Sequence, residues 1–144
     1  MKNAPRMLLV EDDPNDVLMA SLAFEVTGFD SEVAIVNNGR DALDFLHRSG
    51  RHAHWPEGVP QLILTDLNMP QMDGLELLKT IKEDDRLAEI PVVVLTTSTA
   101  ERDREACALL GANDYLVKPH NFEDFVLLID TLTTRWLQTD SLAM

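Results

Sequence analysis

Three short runs of this chain are apolar almost throughout: RMLLV at 6–10, LILT at 62–65 and PVVVL at 91–95. Each is too short for a helix of ordinary length and rich in branched residues, so each reads as a buried strand. Ser31–Val36 alternates as a weaker strand, and Asp114–Val117 is a short one. Between these runs the apolar positions take helical spacing. Pro14 or Asn15 opens a helix carrying Val17, Leu18, Leu22 and Val26 to a stop at Gly28. Asn38-Gly39 leads into a helix holding Ala42, Leu43, Phe45 and Leu46, which Gly50 ends. Leu75–Ile81 places Leu75, Leu78 and Ile81 on one side, Ala100–Leu110 stops at Gly111, and Phe122–Leu137 forms the last helix.

Five strands and five helices therefore alternate strictly. Strands without polar alternation need cover on both faces, which predicts a parallel sheet between helical layers. Right-handed crossovers then make a doubly wound α/β domain. A single domain over 1–144 is expected, with a core of about residues 6–138 and a fraying tail at 139–144. The stretch SGRHAHWPEGVP, Ser49–Pro60, is long for a helix-to-strand link, where about 2–6 residues usually suffice. His52 and His54 lie within it, but no carboxylate or cysteine pattern supports a metal site there. An exposed loop with Trp55 packed back on the domain is expected instead.

Composition narrows the class. The chain is 26% charged and 45% hydrophobic, which fits a soluble globular protein, and no apolar run approaches the roughly 20 residues of a membrane span. A net charge of −13 disfavours nucleic acid and anionic membrane as direct partners. The lone Cys107 allows no intrachain disulfide, and with no signal-peptide pattern the cytoplasm is the expected home.

The chemistry gathers at one sheet edge. In open α/β sheets a site forms outside the carboxyl ends of the strands, where the strand order reverses. The first strand delivers Glu11 and Asp12 to that edge, the third Asp66, the fourth Thr96 and the fifth Lys118. Any one of these alone reads as a turn residue, a cap or a solvated charge. Three close carboxylates, however, need a cation or a shifted pKa to relieve their repulsion. An all-oxygen set suits a hard ion, Mg2+ first, with Mn2+ or Ca2+ able to substitute. Lys118 and Thr96 add a positive charge and a hydroxyl donor for phosphate oxygens, and an aspartate can itself receive a phosphoryl group.

The motifs LLVEDDP at 8–14, LTDLNMPQMDG at 64–74, PVVVLTT at 91–97 and GANDYLVKP at 111–119 together resemble the receiver domain of two-component response regulators, over about Met7 to Leu137. The resemblance implies a flavodoxin-like fold with strand order 2-1-3-4-5, and phosphoryl transfer from the phosphohistidine of a sensor histidine kinase to Asp66. It implies that Asp12, Asp66 and the backbone carbonyl of Asn68 bind Mg2+, with Glu11 acting through water. Lys118 pairs with the phosphoryl group, Lys118-Pro119 is cis, Thr96 swings toward the phosphate and Tyr115 follows as an aromatic switch, reporting on the outer face near the fourth helix. Asp13 falls outside the acidic pair and is read as a cap of the first helix. The chain is then no enzyme beyond its own phosphoryl transfer and autodephosphorylation.

Nothing after the last helix reads as a DNA-binding or catalytic domain, so output by a change of partner is expected. The long link and the Trp-bearing last helix resemble the small regulators that serve phytochrome-type histidine kinases. In that helix Phe122, Phe125, Val126, Ile129 and Trp136 share one face, while Leu127 lies almost opposite. The surplus points to a homodimer through the fourth helix, fifth strand and fifth helix. Two other readings remain: a phosphate-independent interaction module, and a Mg-dependent aspartyl phosphatase. The phosphatase needs a second acid two residues after Asp66, where this chain has Asn68. No glycine-rich phosphate loop is present for a nucleotide or flavin binder.

Overall fold

The computed structural model describes residues 5–47, 59–69 and 72–137. Five parallel strands form one sheet in the order β2-β1-β3-β4-β5: β1 Met7–Val10, β2 Val33–Val36, β3 Leu62–Thr65, β4 Val92–Thr96 and β5 Asp114–Val117. The helices between and after them are α1 Pro14–Thr27, α2 Gly39–Leu46, α3 Gly74–Glu83, α4 Glu101–Leu109 and α5 Phe122–Trp136. A 3-10 turn at Asp30–Glu32 leads into β2. The alternation and the strand order are those expected, and β1 lies between β2 and β3 in register, Val10 opposite both Val36 and Thr65.

Strand side chains alternate between two cores, as the two-residue period of a strand requires. Leu8, Val10, Ile63, Val92 and Val94 face α2, α3 and α4, meeting Leu46, Leu77, Leu78, Ile81 and Cys107. Met7, Leu9, Leu62, Leu64, Val93 and Leu95 face α1 and α5, meeting Ala20, Phe24, Phe125, Ile129 and Leu132. Local signals set the helix ends. Asp13 Oδ1 accepts from the Asn15 and Asp16 amides at 2.8 and 3.2 Å, which makes it the cap of α1 as read. Gly28 closes α1 in the left-handed region at φ 83.

Helix α1 departs from its reading. Its buried residues are Ala20, Ala23 and Phe24, while Leu18, Leu22 and Val26 are 59%, 42% and 65% exposed. Apolar residues surround this helix, so periodicity cannot choose its inner face. Packing against both the sheet and α5 selects the side with alanines, which lets the backbones approach. An apolar stripe is left outside. In α5, Phe125 and Ile129 are buried as expected, Phe122 is 38% exposed, and Leu132 joins the core. The Ser49–Pro60 link, with His52, His54 and Trp55, lies outside the described residues except at its end, and so does the tail 138–144. No helix among the described residues is long and apolar enough to cross a membrane.

Candidate functional site

The carboxyl ends of β1, β3 and β5 bring one ammonium against three carboxylates. Lys118 Nζ lies 2.6 Å from Glu11 Oε1, 2.7 Å from Asp16 Oδ2 and 2.9 Å from Asp66 Oδ2. A lysine has three N–H donors, and all three are used. The side chains of Lys118, Glu11 and Asp66 are 6%, 4% and 11% exposed, and that of Asp16 is 32%. Burial alone would lower the Lys118 pKa, but its bonds to Asp16, Asp66 and Glu11 outweigh this and hold it above the ordinary lysine range. Burial pushes the Glu11 carboxyl above its usual value, against the opposing pull of Lys118.

Backbone amides fix the acids. Asp66 Oδ1 accepts from the Leu67 amide at 2.6 Å, and Glu11 Oε2 from the Asp13 amide at 3.2 Å. Glu11, Asp12 and Asp66 each present a carboxylate oxygen within 4.8 Å of the others. Asp12 is exposed at the rim, and Asn68 is exposed in the turn after Asp66. This carboxylate set fits a hard divalent cation by donor chemistry.

Thr96 and Tyr115 sit beside this cluster and are both buried. The Thr96 carbonyl accepts the Lys118 amide at 2.8 Å, and its hydroxyl oxygen accepts the Ser98 amide at 3.3 Å. In this state Tyr115 is buried on the α4 side of the sheet. Its hydroxyl donates to the Ser98 carbonyl at 2.9 Å, and the Arg104 guanidinium lies 4.7 Å from the ring centroid. The ring thus gains core packing while its polar end is satisfied. Lys118-Pro119, expected cis, is trans: no cis peptide bond occurs among the described residues. Trans is the lower form of an X-Pro bond by about 0.5–1 kcal/mol, and here it already lets Lys118 reach all three acids.

Asp16 was missed in the sequence, where it reads as an ordinary first-turn acid of α1. Its one available signal is the spacing of four residues from Asp12. Ser98, which accepts from Tyr115, lies just behind Thr96 at the same strand end, whereas Arg104 carried no signal in the sequence.

The Lys118→Met variant tests the electrostatics of the site. In chelator it leaves Glu11 and Asp66 as buried charges without a cation, at a cost of about 3–5 kcal/mol. Lys118 has a raised pKa, so its stabilisation is complete below the ordinary lysine value of 10.5 and is lost as pH rises through the folded value. Glu11 is also raised, so its contribution is greatest below 4.5 and declines as pH rises through its folded value. The urea midpoint of Lys118→Met in chelator should therefore fall below wild type, by more as pH rises above 4.5, and Mg2+ should restore part of it. An unchanged midpoint at pH 7 would contradict the buried ion cluster.

An Asp at a parallel-strand end, an acidic neighbour pair and a crossing lysine define a phosphoacceptor class. The chain belongs to the response regulator receiver domain family, whose description matches residues 7–130. Within it, the chain is 39% identical to the response regulator Rcp1 of Synechocystis sp. over 141 residues, 97% of this chain and 95% of that protein. The crystal structure of the phosphorylated cyanobacterial phytochrome response regulator RcpA aligns with a TM-score of 0.82 at 33% identity, covering 94% of this chain and 96% of that one. The Mn2+-bound form of Rcp1 aligns with a TM-score of 0.80 at 38% identity, with the same coverage.

Proposed function

We propose that Asp66 accepts a phosphoryl group from the phosphohistidine of a sensor histidine kinase of the phytochrome type, in the cytoplasm. The observation that carries this reading is the meeting of Glu11, Asp12 and Asp66 with Lys118 at one mouth. Asp12, Asp66 and the Asn68 carbonyl would hold Mg2+, with Glu11 acting through water. The bound ion supplies charge neutralisation for the transferring group. Lys118 offers its ammonium to a phosphoryl oxygen, and the Leu67 amide keeps the Asp66 carboxylate in orientation. Thr96 and Tyr115 then exchange their Ser98 contacts for an arrangement that the phosphate favours. The exposed stripe of α1 flanks the mouth, where a groove is lined by Asp12, Val17 and Leu18, so an approaching donor protein meets apolar surface beside the acids.

Acetyl phosphate with Mg2+ should add the mass of one phosphoryl group to the intact protein, and chelator should prevent it. No gain from acetyl phosphate and none from a phosphorylated kinase would leave only a phosphate-independent interaction module.

The output surface is read as a homodimer through α4, β5 and α5. Leu109 and Leu127 are 88% and 64% exposed there, and Val117 is 36% exposed. Beside them a groove of about 380 Å³ is lined by Leu116, Leu127, Leu128 and Trp136, with Asp114, Asp124 and Arg135 among its other residues. Apolar surface with charges of both signs can match its own copy across a two-fold axis. Light scattering at tens of micromolar should give twice the 16.2 kDa chain mass, and Leu127→Arg should halve it. A wild-type monomer with and without phosphorylation would refute the dimer.

A further inference from the structure

Gly39, the first residue of α2, lies against the turn that follows Asp66. Its amide donates to the Met72 carbonyl at 3.3 Å. A Cβ on Gly39 would stand 2.7 Å from the Met72 carbonyl oxygen, 2.8 Å from Met72 Cγ and 2.9 Å from Met72 Cβ. None of these is the free end of a side chain, so relief has to move the turn or the helix. Gly39 is not among the glycines with positive φ, so the position needs space and not an unusual dihedral. The helix has little freedom to retreat. Ala42, Leu43, Phe45 and Leu46 are packed in the core, and Asn38 caps the first turn by accepting the Asp41 amide at 2.8 Å. Met72 packs against the same core. Displacement therefore passes along the chain to Gly74, whose amide donates to the Leu67 carbonyl at 2.8 Å and whose bare Cα faces the Asp66 carbonyl. The backbone of Met72 to Gly74 is thus wedged between the start of α2 and the acceptor residue.

We propose that Gly39 is a positioning residue for the cation site: its bare Cα lets α2 seat Met72, and the seated turn sets where the Asp66 carboxylate and the Asn68 carbonyl lie. The inference rests on the Mg2+ reading above. Its consequence is for the choice of cation. Mg2+ demands a near-ideal octahedral set of oxygens, whereas Ca2+ accepts a looser one. A displaced turn costs the first ion more than the second, which a general loss of stability does not do.

Titration calorimetry with Mg2+ alone and with Ca2+ alone reads the site directly. Gly39→Ala should bind Mg2+ about tenfold more weakly than wild type, the low end of the effect of groups that orient metal ligands. Its Ca2+ affinity should fall by less than about threefold, since that ion tolerates a looser oxygen set. Gly28→Ala controls for stability. Gly28 has φ 83 and nothing within 4 Å of an added Cβ, so that variant is strained beyond the end of α1 without touching the turn. It should keep its Mg2+ affinity within about twofold. Where Gly39→Ala does not fold, Met72→Ala decides. It removes the Cγ beside Gly39, keeps the carbonyl bond, and should weaken Mg2+ binding about threefold. Wild-type Mg2+ affinity in Gly39→Ala overturns the inference, as does an equal loss of both ions, a matching Mg2+ loss in Gly28→Ala, or wild-type affinity in Met72→Ala. A wild type that binds no Mg2+ overturns the cation reading and this inference with it.

Discussion

The Asp66→Asn variant should gain no phosphoryl mass from acetyl phosphate and Mg2+, under conditions where wild type does. The substituted side chain would keep a carbonyl oxygen for the Leu67 amide, now bonded to Asp66 Oδ1 at 2.6 Å. On the other side its NH2 would face Lys118 Nζ, which the present Oδ2 meets at 2.9 Å. Donor would then meet donor, and the nucleophilic oxygen would be gone. Neither neighbouring acid is placed to substitute. Glu11 is held by Lys118 and by the Asp13 amide and is 3% exposed. Asp12 is exposed at the rim and is not among the carboxylates bonded to Lys118. The fold should be little changed, since the substitution also removes one of three crowded negative charges. Intact mass gives the answer, and labelling of the variant at the wild-type rate would move the acceptor to another residue.

The Gly74→Ala variant should lose about 3 kcal/mol of stability, at the upper end of overpacking costs, and most of its labelling rate. Gly74 opens α3, and its amide donates to the Leu67 carbonyl at 2.8 Å. A Cβ at this position would overlap the Asp66 carbonyl oxygen and lie 2.8 Å from Leu67 Cα. Both are backbone atoms, so no side chain can turn away. Gly74 is not among the glycines with positive φ, so the requirement is for space and not for an unusual dihedral. Relief has to come from moving residues 66 and 67, and that displaces the acceptor carboxylate from Lys118. Urea unfolding together with the acetyl phosphate assay would check both effects. A variant as stable and as quickly labelled as wild type would show that the turn after β3 has room to spare.

Strand identity was legible because a four- or five-residue apolar run bounded by polar residues has one economical use, a buried parallel strand. Topology followed from the alternation. The site was legible for the same reason, since strand ends converge and Glu11, Asp12, Asp66, Thr96 and Lys118 each end a strand. Their recognised motifs then supplied roles that spacing alone did not. Helix α1 was less legible: with apolar residues all round, Leu18 and Val26 looked as fit for the core as Ala20 and Ala23. Lys118-Pro119 also went otherwise than expected, since the bond is trans. The two forms of an X-Pro bond differ by only about 0.5–1 kcal/mol, so the local pattern does not choose between them.

The sequence by itself determined the doubly wound sheet, the strand ends that carry chemistry and the acidic character of the mouth. These depend on local pattern and on the general rule that parallel strands end on one edge. Only the tertiary structure decided which face of α1 is buried and that Tyr115 lies against Ser98 and Arg104. Only it placed Asp16, an unremarked acid in α1, within 2.7 Å of a lysine 102 residues further along the chain. The first kind of fact is set by each segment's own periodicity. The second is set by which surfaces meet when helices close on the sheet, and no single segment carries that information.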